Sequence, residues 1–176
     1  MDNNFPTLYL AILIVLLGTV AWFVFRQLFK TRRIESALSR LQSKLSQEKG
    51  TAQEYFELGS ILLSKNLATQ AIAQFQKALK AAEVEAESNV SPIYNAIGYG
   101  HFIQEQYDLA IRNYKEALKG NPNYVTALNN LAHAYEKKNL TSQALEVYEQ
   151  VLGQDPKNST AKRRANSLRK RYVPQT

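Results

Sequence analysis

Two groups of side chains in this sequence stand out as candidates for chemistry. The first is Phe56, Ser60, Leu63, Asn95, Tyr99, Phe102, Ile103, Asn129, His133 and Lys137, with Glu136 beside the last. Aromatic faces, amides, an imidazole and an ammonium group suit stacking on, and hydrogen bonding to, an extended or helical peptide. The second is the run Lys162, Arg163, Arg164, Arg169, Lys170 and Arg171. These bases could meet anionic headgroups, an acidic partner or RNA, or simply solvate a terminal helix.

Bond-making chemistry finds no support. There is no cysteine, so disulfides, thiolate metal sites and cysteine nucleophiles are excluded. His101 and His133 are the only histidines, too few for a His-rich metal cluster. The sequence has no P-loop, no G-x-G-x-x-G, no HExxH and no nucleophile elbow. Gly98 and Gly100 flank Tyr99, but inside a helical pattern, and the carboxylates are scattered along helical surfaces. We therefore expect no catalytic residues, no metal and no cofactor.

The elements that position these residues come from an internal repeat. Residues 91–124 and 125–158 are two copies of one 34-residue pattern. Numbering each copy from 1, slots 4, 7, 8, 11, 20, 24 and 32 hold Tyr94, Ile97, Gly98, His101, Ala110, Tyr114 and Pro122 in one. They hold Leu128, Leu131, Ala132, Tyr135, Ala144, Tyr148 and Pro156 in the other. An earlier copy starts at Ala52, with Tyr55, Leu58, Gly59, Leu62, Ala71, Phe75 and Ala78 in slots 4, 7, 8, 11, 20, 24 and 27, and Glu83 in place of the slot-32 proline. Its successor begins five residues late, so its second helix should run about one turn longer. His101 and Val151 are the misfits of the later copies, and His101 in slot 11 reads as a packed core histidine.

The pattern resembles the tetratricopeptide repeat (TPR), a pair of antiparallel helices. Small residues at slots 8 and 20 let two backbones approach, the aromatics at slots 11 and 24 fill the space around them, and the proline ends the unit. The fold expected is all-α: a three-repeat TPR solenoid (52–90, 91–124, 125–158, within 51–158) with an N-terminal transmembrane helix, a linker helix and a C-terminal capping helix. In such arrays the first helix of each unit lines a groove through slots 2, 5, 9, 12 and 13. That resemblance places the first candidate group in the groove, aromatic in its middle and polar at one end. Phe56 and Ser60 stand where chaperone-tail receptors carry Lys and Asn, which argues against that ligand. The linker or the cap could also fold over the groove.

The flanks carry their own signals. Leu8 to Phe25 reads LYLAILIVLLGTVAWFVF, uncharged and almost wholly apolar. At ~1.5 Å per residue it spans ~27 Å, close to a bilayer core. Tyr9 and Trp22 stand near its edges as interfacial aromatics do. A cleaved signal peptide is the alternative, but no base precedes the run and no small-x-small site closes it. Arg26, Lys30, Arg32 and Arg33 follow directly, so a short tail, 1–7, should cross while the repeats stay cytoplasmic or stromal. Residues 26–50 read as a basic amphipathic linker helix with a stripe of Ile34, Leu38, Leu41 and Leu45, ended by Gly50. It could pack on the first repeat or pair with itself. Residues 159–176 read as a basic capping helix and tail, with Ala161, Ala165, Leu168 and Tyr172 on its apolar face. The net charge of +7 lies in these flanks: residues 26–49 carry +5, 159–176 carry +6 and 50–158 carry −3. An acidic body without a nucleic-acid motif argues against nucleic acid as partner.

The stretches RQLFKTRRIESALSRLQSKLSQEKGTAQEYFELGS, EQYDLAIRNYKEALKGNPNYVTALNNLAHAYEKKNL and TAKRRANSLRKRY carry a narrower likeness. The whole chain resembles the single-span TPR proteins of cyanobacteria and red-algal-type plastids implicated in photosystem I assembly. That resemblance implies a thylakoid protein with stromal repeats. Its partners would be membrane lipid, through the N-terminal helix, and photosystem I subunits or assembly intermediates. The residues alone stop at a membrane-tethered scaffold. A general adaptor for another membrane complex, or for secretion or division machinery, uses the same features.

Overall fold

The computed structural model describes residues 5–172, with side chains for all but 5–8, 30, 171 and 172. Most of the expected translocated tail (1–4), the last residues (173–176) and the side chains of Arg171 and Tyr172 lie outside the described residues. The described chain is all-α, and it divides into two units, Met1–Gln47 and Glu48–Thr176.

The first unit is one helix, α1 (Phe5–Gln47). Pro6 sits in its first turn, where a missing N–H costs nothing. No proline follows before its end, and residues 26–47 are mostly strong helix formers, so the apolar span and the basic stretch after it share one uninterrupted helix. It stops at Gln47, three residues before Gly50. The apolar side chains from Tyr9 to Phe29 stand more than half exposed, and the Arg26 guanidinium lies 5.4 Å from the Trp22 ring centroid.

The second unit runs α2 (Ala52–Ser64), α3 (Ala68–Val84), α4 (Ser91–Ile103), α5 (Tyr107–Gly120), α6 (Val125–Lys137), α7 (Thr141–Gln154) and α8 (Ser159–Tyr172). Each helix packs on the next in sequence, and α4 also meets α2 and α6. Helix α2 starts on a capping box: Glu54 N–H donates to Thr51 Oγ1 at 3.2 Å, and Thr51 N–H donates to Glu54 Oε2 at 3.1 Å. Helix α3 has 17 residues against 14 in α5 and α7. Its extra turn leads to Glu85, whose Oε1 accepts from Ala52 N–H at 2.9 Å and satisfies a second open donor at the start of α2.

The core is built from slots 20, 24 and 27. Ala71, Phe75 and Ala78 on α3, Ala110, Tyr114 and Ala117 on α5, and Ala144, Tyr148 and Val151 on α7 are all buried. A Cβ on Gly98 would sit 2.7 Å from the Tyr114 ring and 3.2 Å from the Ala110 backbone oxygen. A Cβ on Gly59 would meet Phe75 at 2.6 Å. His101 departs from expectation. Leu62 and Tyr135 in the same slot are buried, whereas His101 is half-buried, with Nδ1 2.7 Å from Gln106 Oε1 across the α4–α5 turn. A ring nitrogen with a polar partner at the rim keeps the imidazole partly in water.

The turns inside each repeat share one device. Asn66, Glu105 and Asn139, all at slot 15, take φ of 60°, 59° and 58°. The residue after each donates its N–H back into the last turn of the helix, Leu67 to Leu62 O, Gln106 to His101 O and Leu140 to Tyr135 O, at 2.9–3.0 Å. Ala86, φ 53°, ends α3 in the same way, with Glu87 N–H on Ala82 O.

Two stability changes follow. Gly98→Ala should destabilise by about 1–3 kcal/mol, because backbone on one side and a fully buried ring on the other leave no room for a methyl. Ala86→Gly should stabilise by about 0.5–1 kcal/mol, since a left-handed alanine carries a strain that glycine does not. Urea denaturation of both variants beside the parent protein checks the two signs.

Candidate partner-binding site

Tyr99, Phe102 and His133 of the predicted groove set come together on one surface of α4 and α6. Its centre is aromatic. Tyr99, 44% exposed, lies nearly parallel to Phe102 with centroids 6.5 Å apart. Phe102 touches Tyr107 at 5.5 Å and the His133 ring at 4.8 Å, so the aromatic surface passes from α4 onto α6. Ile103, 38% exposed, continues it towards the end of α4. Slots 9 and 12 stand on one face because they are three residues apart on a helix.

The other predicted positions are arranged differently. Phe56 leans on the core ring of Phe75 at 5.5 Å and borders a separate small cleft of about 80 Å³ with Gln53 and Pro92. Ser60 donates its hydroxyl to Phe56 O at 2.8 Å, and Leu63 is half-buried near Gly100. Asn95 Oδ1 accepts from Asn130 Nδ2 at 3.0 Å, joining α4 to α6. Asn129 donates to Val125 O at 3.1 Å, and its buried Oδ1 has no hydrogen-bond partner.

At the far end a polar cleft of about 240 Å³ opens between α6 and α8. His133, Glu136, Lys137, Asn139, Thr141, Arg164, Ser167 and Leu168 line it. Glu136 is the hub: its Oε2 accepts from Arg164 Nη1 at 3.1 Å and from the Tyr148 hydroxyl at 3.3 Å. Burial pushes the His133 imidazole below its usual pKa, helped by Arg164 and Lys137 and opposed by Glu136. Burial pushes the Tyr148 hydroxyl up, as does the neighbouring Glu136 carboxylate.

The basic set on α8 is divided. Arg164 engages Glu136, and Arg169 engages Glu149 at 2.9 Å and Asn166 at 3.3 Å. Lys162, Arg163 and Lys170 are exposed, with no ion pair among the described residues. The roles of Arg164 and of Asn130 are not visible from the groove slots alone. Both occupy slot 6 when α8 is numbered as a fourth first helix, and slot 6 reaches back to the preceding repeat. That register was the signal for both contacts. Among the described residues no cluster of three or more His, Asp or Glu could hold a metal.

The tetratricopeptide repeat family matches residues 52–84 and 101–165. The protein ycf37 of Cyanophora paradoxa is 38% identical over 168 residues, covering 96% of this chain and 97% of its own. The chain belongs to the ycf37 family of tetratricopeptide repeat proteins. A further relative is the chloroplastic tetratricopeptide repeat domain-containing protein PYG7 of Arabidopsis thaliana, 34% identical over 163 residues. That alignment covers 93% of this chain and 54% of the relative, so the chain spans about half of PYG7. Among solved structures, MamA superposes with a TM-score of 0.72 at 18% identity, over 80% of each chain, which supports the fold. The repeat array is a protein-interaction scaffold, as its family is.

The His133 shift fixes a pH dependence. Its folded pKa lies below the unfolded value of 6.5, so the unfolded chain binds the proton more readily. The stability this group contributes is complete above pH 6.5 and falls as pH drops from there to the folded pKa, then levels off. The melting temperature should therefore decline between about pH 7 and 5, and His133→Gln should make that decline shallower. An unchanged slope in the variant would mean that other groups account for it.

Proposed function

We propose that this protein is a membrane-anchored scaffold that holds subunits of photosystem I, or of its assembly intermediates, on the stromal or cytoplasmic side of the thylakoid membrane. The observation that carries the reading is one chain joining an aromatic surface on α4 and α6 to a long helix of exposed apolar side chains. Helix α1 includes an 18-residue window of mean hydropathy 2.1 with none of it buried. Apolar side chains exposed over such a length find their solvent in a bilayer. The Arg26, Arg32 and Arg33 cluster after the span favours retention of the repeats on the synthesis side. The chloroplastic relative supports a plastid or cyanobacterial setting. Photosystem I is the client that the likeness of anchor, linker, repeats and basic tail suggests.

Tethering does physical work here. It confines the groove to a layer near the membrane, which raises its effective concentration towards membrane-borne subunits without any new contact. Holding a subunit in place needs stacking and hydrogen bonds, which the Tyr99, Phe102 and His133 surface supplies.

Affinity capture of the tagged full-length protein from gently solubilised membranes tests the reading, run beside Tyr99→Ala with Phe102→Ala. Photosystem I subunits should come down with the parent protein and fall at least several-fold with the double variant. Equal recovery with both would move the contact off the aromatic face. Absence of photosystem I subunits from both would overturn the client and leave a scaffold for another membrane complex.

A further inference from the structure

His133 stands between two chemically different surfaces. On one side its ring meets Phe102, 4.8 Å away, and through it the exposed ring of Tyr99. On the other it lines the cleft that Lys137 and Arg164 also border. The charges in that cleft do not cancel. Glu136 answers one cation, Arg164, at 3.1 Å. The Lys137 ammonium is exposed and has no hydrogen bond or ion pair among the described residues. Arg164 has five N–H donors, of which the structure commits one to Glu136. The hydroxyls of Thr141 and Ser167 border the same space.

Surplus positive charge, unused donors and a wall of hydroxyls describe a seat for one carboxylate. We propose that the cleft between α6 and α8 takes an Asp or Glu side chain of the partner, and that an apolar or aromatic residue a few positions away in the same segment lies on Tyr99 and Phe102. The docking segment is thus short, acidic and apolar together. This inference rests on the α4–α6 surface being the partner-binding groove, and it adds the chemistry of what is bound.

Selection from a phage-displayed random peptide library on the full-length protein in detergent micelles tests it. Three baits are used: the parent, Lys137→Glu, and Tyr99→Ala with Phe102→Ala, each checked for folding by circular dichroism. Peptides enriched on the parent should pair an acidic residue with an apolar or aromatic one. Lys137→Glu should lower the affinity of those peptides by about threefold to tenfold and remove the acidic preference while keeping the apolar one. Enriched peptides that lose binding on the aromatic double variant but show no acidic preference on the parent, or keep it on Lys137→Glu, would overturn the carboxylate seat and leave the groove intact. No difference between the parent and the aromatic double variant would instead overturn the groove itself, and the inference with it.

Discussion

The close approach of the two helices within each repeat is the constraint from which the rest of the array follows. Where Gly98 faces Ala110, no side chain separates the backbones, and the Tyr114 ring closes over the gap. Gly59 under Phe75 repeats the arrangement one unit earlier. With one buried ring per unit holding each pair from behind, the outer face of the first helix is not needed for the core. That freedom is what leaves Tyr99 an exposed aromatic, while Phe102 beside it stays half-buried against the core.

The three rings are not equivalent, and the difference connects core to site. Phe75 has no polar atom to satisfy. Tyr114 buries a hydroxyl without a partner, and burial pushes its pKa far above the usual phenol value. Tyr148 resolves the same difficulty by donating to Glu136, the carboxylate that also holds Arg164 of α8. The last repeat therefore uses its core tyrosine to pin a charge network at the surface, which the other two cannot do. A buried donor that finds a charged acceptor stabilises more than a neutral pair.

How much of this the sequence discloses depends on how local the cause is. Helices α2 to α8 are legible because the 34-residue period, the slot-8 and slot-20 small residues and the prolines each act within one unit. The slot-15 left-handed turn is less so, since Asn66 and Asn139 suggest it and Glu105 does not. His101 departs from its slot because slot 11 usually points inward, whereas a rim position next to Gln106 offers a polar partner. The cleft is the least local of these features. It depends on Arg164 reaching from α8 to α6, 28 residues back, and treating α8 as a cap hides the slot that aims it there. Phe56, which fits the groove pattern by slot, is turned to Phe75, and only packing could reveal that choice.

An array whose helices pack almost solely on their sequence neighbours behaves nearly as a one-dimensional chain, and such chains melt from the ends. Helix α8 is the last described helix of the array, held by α7 and by the Arg164 and Arg169 contacts. It is also one wall of the cleft. The wall is thus drawn from the least cooperative part of the domain, and its opening is a local unfolding event that need not disturb the aromatic centre. Anything seated against Arg164 then acts as a clasp on α8, so occupancy of the groove and order of that helix become one equilibrium read from two places.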